Sequence, residues 1–274
     1  VALQHTTFMP YDGYLGENLD TLEYFRRFLV DQSSGLDQPA AAIVETVQGE
    51  GGVNAASIAW LQGLERLCRE FGILLIIDDI QVGCGRTGPF FSFEEAGVEP
   101  DMVALSKSLG AFGLPLSALL IRPDLDQWKP GEHSGTFRGN NLALVAATEA
   151  IERYWRDQRF SQEIRRKALL LRQRLEALGE QYPEALSVRG RGLIQGLACA
   201  VPEHARRISQ AAFERGLVVE TSGAAGQVVK LLPPLVIEEQ VLSEGLDVLA
   251  ESAVAVMEGL EGLAESVPLE EARR

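Results

Sequence analysis

Cysteine and histidine are scarce in this chain of 274 residues. The three cysteines, Cys68, Cys84 and Cys199, are odd in number, lie far apart and form no CxxC pair. This argues against a disulfide framework or a structural zinc site, and for a reducing compartment, the cytoplasm. The three histidines, His5, His133 and His204, do not cluster with other ligand types, so no metal is expected. Basic residues are the minority charge: Lys and Arg number 25 against 39 Asp and Glu, a formal net charge of -14. A nucleic-acid groove needs a basic face, and none is present. The acidity is read as a solubility device. No apolar run reaches membrane-spanning length. The opening VALQHTTFMP lacks the basic-then-apolar layout of a signal peptide. It also lacks an initiator Met, so the chain is expected to start in mid-protein. What is abundant is apolar residues, at 46%, enough for a packed core and too many for a globally disordered chain.

The first half alternates strand-like and helix-like segments. Ala40–Glu45 is a short apolar run ending in an acid. Ser57 is placed to cap a helix reaching about Phe71, with Ile58, Leu61, Leu64 and Leu67 on one face and Gly72 as its stop. Ile73–Ile77 is continuously apolar, as expected of a parallel strand buried on both faces. Met102–Leu105 and Leu116–Ile121 read as further strands. This rhythm implies a mainly parallel α/β sheet, whose ligands bind beyond the carboxyl ends of the strands. Asn140–Arg156 and Ser161–Leu178 read as helices. Beyond Pro183 the pattern changes, with strands at Leu193–Ala200, Leu217–Glu220 and Val228–Leu232 and helices at Glu203–Arg215 and Glu238–Leu263. The expected organisation is a partial large domain over 1–156, a connecting helix over 157–182 and a small C-terminal α+β domain over 183–274. The charged tail, Glu270–Arg274, is expected to fray.

Polar residues following the apolar runs are the candidates for chemistry. Asp78 and Asp79 stand at the mouth of the Ile73–Ile77 strand, where two adjacent acids are costly unless compensated. They are either a solvated strand end or the partner of a cation. A protonated pyridine nitrogen is such a cation, since a neighbouring carboxylate holds its proton and keeps the ring an electron sink. Lys107 follows the Met102–Leu105 run. A lone loop lysine is usually just solvated, but one at this sheet mouth can form a Schiff base if burial and neighbours lower its pKa. Gly83, Gly85 and Gly88 lack the GK[ST] of a P-loop and read better as a tight turn. Gly135–Asn141 precedes a helix and is either a phosphate site at its N-terminus or an ordinary cap. Glu45, Gln48 and Glu50 form a polar loop at the same expected ligand-binding edge.

Taken together, ETVQGEGG, LLIIDDIQVGCGRTG, LSKS and GTFRGNN occur in the order and spacing of class III PLP-dependent aminotransferases of fold type I, and the chain resembles that family over almost its whole length. MPYDGYLGE, VETVQGEGGVN, DDIQVGCGRTGPFFSFEEAG and DQWKPGEHSGTFRGNNLA look like its diaminobutyrate–2-oxoglutarate aminotransferase subgroup, of ectoine or siderophore pathways. The resemblance implies pyridoxal 5'-phosphate as cofactor, Lys107 as the Schiff-base lysine and Asp78 as the partner of the pyridine nitrogen. It places Ile80 on one ring face, Gln81 near the ring hydroxyl, and Thr136 at the phosphate of a partner subunit in a homodimer or higher homo-oligomer. Asp79 stands where many relatives have Glu. Glu50 matches a gating glutamate that pairs with arginine in several relatives. Lys230 stands at that arginine's position, and lysine lacks the planar fork. The family's phosphate loop and ring-stacking aromatic precede Val1, which implies an N-terminally truncated large domain. The implied reaction moves an amino group from glutamate to aspartate 4-semialdehyde, giving L-2,4-diaminobutyrate and 2-oxoglutarate. The alternatives are another ω-aminotransferase, an aminomutase, or an inactive fragment that only dimerises.

Overall fold

A computed structural model describes residues 4–16 and 19–265. The tail over 270–274 lies outside the described residues. The chain divides into two compact units, one of residues 1–47 and 55–161, the other of residues 48–54 and 162–274.

The first unit opens with α1 (Thr21–Val30), which the sequence reading did not anticipate. Its start is chemically marked all the same, because the Asp20 carboxylate accepts from the Leu22 and Glu23 N–H groups. After β1 (Ala41–Val44), a two-stranded ribbon joins β2 (Val47–Gln48) to β3 (Asn54–Ala55). Then come α2 (Ile58–Phe71), β4 (Leu74–Asp78), β5 (Met102–Leu105), β6 (Ala118–Ile121) and α3 (Asn141–Tyr154). Ser57 caps α2 through the Trp60 N–H, as its position predicts. The sheet order is β1-β4-β5-β6. The first three strands are parallel, and β6 pairs with β5 antiparallel, so the sheet is mixed at its edge.

The expectation that Ile73–Ile77 is buried on both faces is corrected. Ile73, Leu75 and Ile77 are buried, while Leu74 and Ile76 are only half-buried. The buried set packs with Phe25 of α1 and Leu64, Leu67 and Cys68 of α2, which cover one face of the sheet. On β1, Ile43 remains 65% exposed.

The second unit holds most of α4 (Arg159–Gln181), then β7 (Leu186–Arg191), β8 (Ile194–Cys199), α5 (Pro202–Glu214), β9 (Glu220–Ser222), β10 (Val228–Leu231) and α6 (Glu239–Glu265). Its sheet, ordered β7-β8-β10-β9, is antiparallel throughout. Strand β7 was not expected, and the strand expected at Leu217–Glu220 lies later, at β9. Its start is delayed because Leu217 still serves the end of α5, donating to the Ala212 carbonyl at 2.9 Å. Among the described residues no helix is long and apolar enough to cross a membrane.

Asp101 fixes the amino edge of the first sheet. Its side chain is fully buried and accepts from Leu75 N–H at 2.7 Å, Arg69 Nη1 at 2.8 Å and Arg122 Nη1. Its own N–H donates to Leu75 C=O at 2.8 Å, and its C=O accepts from Arg122 N–H at 3.0 Å. One residue thereby ties α2, β4, β5 and the end of β6. Burial pushes this carboxyl up, but the bonds from Arg69 and Leu75 and the charges of Arg69 and Arg122 outweigh it and hold the group below its ordinary value. A lowered carboxyl contributes stability that is present above the unfolded-state pKa of about 3.9 and lost as pH falls through the folded value. Asp101→Asn should cost about 3 kcal/mol at neutral pH, because two guanidinium groups lose their shared partner. Urea unfolding across pH checks this: the gap from wild type should be constant above about pH 5 and narrow in acid.

Candidate functional site

Parallel pairing sends β4 and β5 out of the sheet at the same edge. Asp78 pairs with Ala104 in register, and Asp79 N–H donates to Ala104 C=O at 2.9 Å. Lys107 follows three residues after Ala104, so an acid and an amine leave neighbouring strand ends at the carboxyl edge. Lys107 is exposed and opens a 3-10 turn over Lys107–Gly110. Its φ of 45° is left-handed, a conformation that non-glycine residues adopt at a cost and chiefly where a site demands it. The turn is anchored on both sides, by Leu109 N–H to Ser106 C=O at 3.0 Å and Ser106 Oγ to Leu116 C=O at 2.9 Å.

The two acids at the mouth of β4 part company. Asp78 is half-buried, and its Oδ1 accepts from Ile80 N–H at 3.1 Å. Asp79 is buried and accepts from Ser92 N–H at 3.0 Å and from the Ser92 hydroxyl. That hydroxyl in turn accepts from Thr46 Oγ1 at 2.6 Å. Asp79 is thus a structural acid, compensated inside the fold, and Asp78 is the carboxylate left at the edge. Ile80 and Gln81, both half-buried, continue directly from it.

The glycine-rich segment after Gln81 is a buried turn. Gly85 N–H donates to Phe90 C=O at 3.2 Å, and Gly88 N–H to Gly85 C=O at 2.9 Å. A Cβ at Gly83 would lie 2.8 Å from the Asp79 carbonyl oxygen and 2.9 Å from its carboxylate, so no larger residue fits. Burial, reinforced by the Asp79 charge, pushes the Cys84 thiol up to about 12, so it is not a nucleophile at neutral pH. Burial likewise pulls the Arg86 guanidinium down to about 10.

Thr136 lies in an exposed stretch ahead of α3. The cap of that helix is Asn140, whose side chain accepts from Leu142 N–H at 3.0 Å and Ala143 N–H at 3.2 Å. Beside Thr136, Phe137 is 99% exposed.

Glu50 and Lys230 both belong to the second unit. Lys230 Nζ, on β10, lies 2.6 Å from Glu50 Oε1 and 3.3 Å from Glu220 Oε1 of β9. The lysine side chain has no exposure, while those of Glu50 and Glu220 are 72% and 62% exposed. Sequence reasoning singled out Glu50 and Lys230 but missed Glu220. Strand alternation does not reveal it, because the signal is its place opposite Lys230 in the β9–β10 ladder.

Comparison with known proteins agrees with this architecture. The family model described as aminotransferase class-III matches residues 3–253, so the chain belongs to that family. The diaminobutyrate–2-oxoglutarate transaminase of Bordetella parapertussis is 63% identical over 93% of this chain and 59% of its own length. That of Wolinella succinogenes is 55% identical over 92% of this chain and 59% of its own. The chain therefore spans about 59% of the length of these relatives. Among solved structures, acetylornithine aminotransferase from Elizabethkingia anophelis aligns with a TM-score of 0.75 at 29% identity, covering 85% of this chain and 58% of that one. An ornithine aminotransferase from Toxoplasma gondii, described with partial occupancy of PLP at its active site, aligns with a TM-score of 0.72 at 33% identity, covering 80% and 52%. Class III aminotransferases depend on PLP. The donor set at the β4–β5 edge fits that group: Lys107 offers an amine to an aldehyde, and Asp78 a carboxylate to a ring nitrogen.

The left-handed backbone at Lys107 has a measurable consequence. Lys107→Gly should raise stability by about 1 kcal/mol relative to Lys107→Ala, because glycine adopts this conformation without strain. Thermal unfolding of the two variants without cofactor checks it; equal melting temperatures would show that the turn stores no strain.

Proposed function

We propose that the protein containing this chain is a PLP-dependent aminotransferase that moves an amino group from glutamate to aspartate 4-semialdehyde, giving L-2,4-diaminobutyrate and 2-oxoglutarate. The observation that carries the chemistry is the exit of Asp78 and Lys107 from neighbouring parallel strands at one edge. The substrate reading is supported by the relatives named above as diaminobutyrate–2-oxoglutarate transaminases.

PLP, when bound, supplies an electron sink that makes the proton on an amino-bearing carbon removable. Lys107 Nζ would hold the cofactor and, as base and then acid, would take that proton onto its own nitrogen and give it back. Asp78 keeps the ring nitrogen protonated by holding its N–H. Ile80 would pack on the ring, and Gln81 would hold its hydroxyl side. Thr136 would donate to the phosphate held by a partner subunit; its exposure beside Phe137 leaves it accessible to one. Free, buried Cys68, Cys84 and Cys199 suit a reducing compartment, the cytoplasm.

Two substrates of unlike charge must be bound in turn. Glu50 faces the amine-bearing end of diaminobutyrate and turns away for the second carboxylate of glutamate or 2-oxoglutarate, which then meets Lys230. Lysine stands where several relatives have arginine without losing the pair, since a point charge needs no planar fork to hold one carboxylate.

Full-length protein mixed with glutamate and aspartate 4-semialdehyde should release 2-oxoglutarate in step with diaminobutyrate, and Lys107→Ala should abolish it. Glu50→Ala should slow the diaminobutyrate half-reaction about tenfold more than the glutamate half, in single-turnover measurements. Equal slowing would contradict a gate, and absence of 2-oxoglutarate would contradict the donor.

A further inference from the structure

Lys230 has more than the one counter-ion that a gate requires. Its ammonium is buried, and a buried charge that loses its partner is strongly destabilising. If Glu50 alone held it, each departure of Glu50 would strand it. Glu220 prevents this. It sits directly opposite Lys230 in the antiparallel ladder, so backbone pairing, and not loop position, keeps it there. Lysine has three donors, enough for both carboxylates and a third acceptor.

The backbone of Glu50 is itself pinned. Its C=O accepts from Gly223 N–H at 3.0 Å. Val53 N–H donates to Gln48 C=O at 2.8 Å, and Arg189 Nη1 bonds Asn54 Oδ1 at 3.0 Å and Gly52 C=O at 3.3 Å. Gly52, at φ 109°, approaches so closely that a Cβ there would lie 3.3 Å from Gly223 Cα. What can move is the exposed Glu50 side chain, not its loop.

We propose that Glu220 is the standing counter-ion of Lys230 and a positioning residue of the substrate gate. With Glu50 turned in, one ammonium faces two carboxylates, and the excess negative charge suits an ammonium-bearing substrate end. With Glu50 turned out, Lys230 and Glu220 remain a neutral pair, and another N–H of Lys230 donates to a substrate carboxylate. This deepens the preceding functional reading and rests on it for the substrates, though not for the ion pair.

The test uses full-length protein, trace acetylation with acetic anhydride, and peptide mass spectrometry of Lys230. An ammonium bonded to a carboxylate is shielded from the reagent. Glu50→Gln should leave Lys230 acetylation within about twofold of wild type, whereas adding Glu220→Gln should raise it about tenfold or more, because the ammonium then has neither carboxylate. A tenfold rise from Glu50→Gln alone overturns the proposal, and so does a rise in the single variant Glu220→Gln no larger than that in Glu50→Gln, whether or not the double variant folds. In single turnover, Glu220→Gln should shift the ratio of the two half-reaction rates about tenfold against the diaminobutyrate half, because the site loses the excess negative charge that suits an ammonium-bearing end. An unchanged ratio overturns the positioning role. Should wild type turn over neither substrate pair, the substrate assignment fails, while the acetylation pattern still decides whether Glu220 holds Lys230.

Discussion

The buried carboxylate of Asp101 holds the first sheet in register, and the candidate site depends on that register. Three strands meet at this residue through its backbone and side chain. Because side chains alternate with a period of two, a slip of one residue between β4 and β5 would turn Asp78 and the Lys107 turn to opposite faces. A structural acid at the amino edge of the sheet thus determines which chemical groups emerge together at the carboxyl edge. The same logic recurs at Asp79, whose bonds to Ser92 compensate one acid internally and leave Asp78 as the edge carboxylate.

The second unit uses a different device. An antiparallel ladder places a lysine opposite a glutamate, and a hairpin loop brings a second glutamate to the same ammonium. Exposure is divided unevenly, with a buried cation beneath two solvated anions. Long glutamate side chains at the surface can change rotamer cheaply, whereas the buried ammonium cannot move without losing its compensation. In the proposed gate the Glu50 side chain is therefore the movable part, and Lys230 with Glu220 opposite it in the ladder the fixed one.

Much of this was legible in the sequence, for identifiable reasons. The Ile73–Ile77 and Met102–Leu105 runs end abruptly in polar residues, so both strands and their exits could be placed. Ser57 and Gly72 bracket α2 by local chemistry. What escaped depended on tertiary partners. The unequal fates of Asp78 and Asp79 follow from Ser92, thirteen residues on from Asp79. The antiparallel sense of β6 follows from a return path after Lys107 that apolar periodicity does not encode. Strand β7 was hidden because Ser187, Arg189, Gly190 and Arg191 dilute its apolar pattern. The role of Asp101 is invisible without Arg69 and Arg122, which reach it from either side in sequence. Glu220 could be found only through the ladder.

The central claim is that Lys107 and Asp78 serve one bound group. The most direct test is borohydride reduction of the full-length protein loaded with PLP, read by peptide mass spectrometry in wild type, Lys107→Ala and Asp78→Asn. The account predicts a pyridoxyl adduct concentrated on Lys107, lost in the first variant and retained in the second, with transamination lost in both. Labelling scattered over other lysines and unchanged by Lys107→Ala would contradict it.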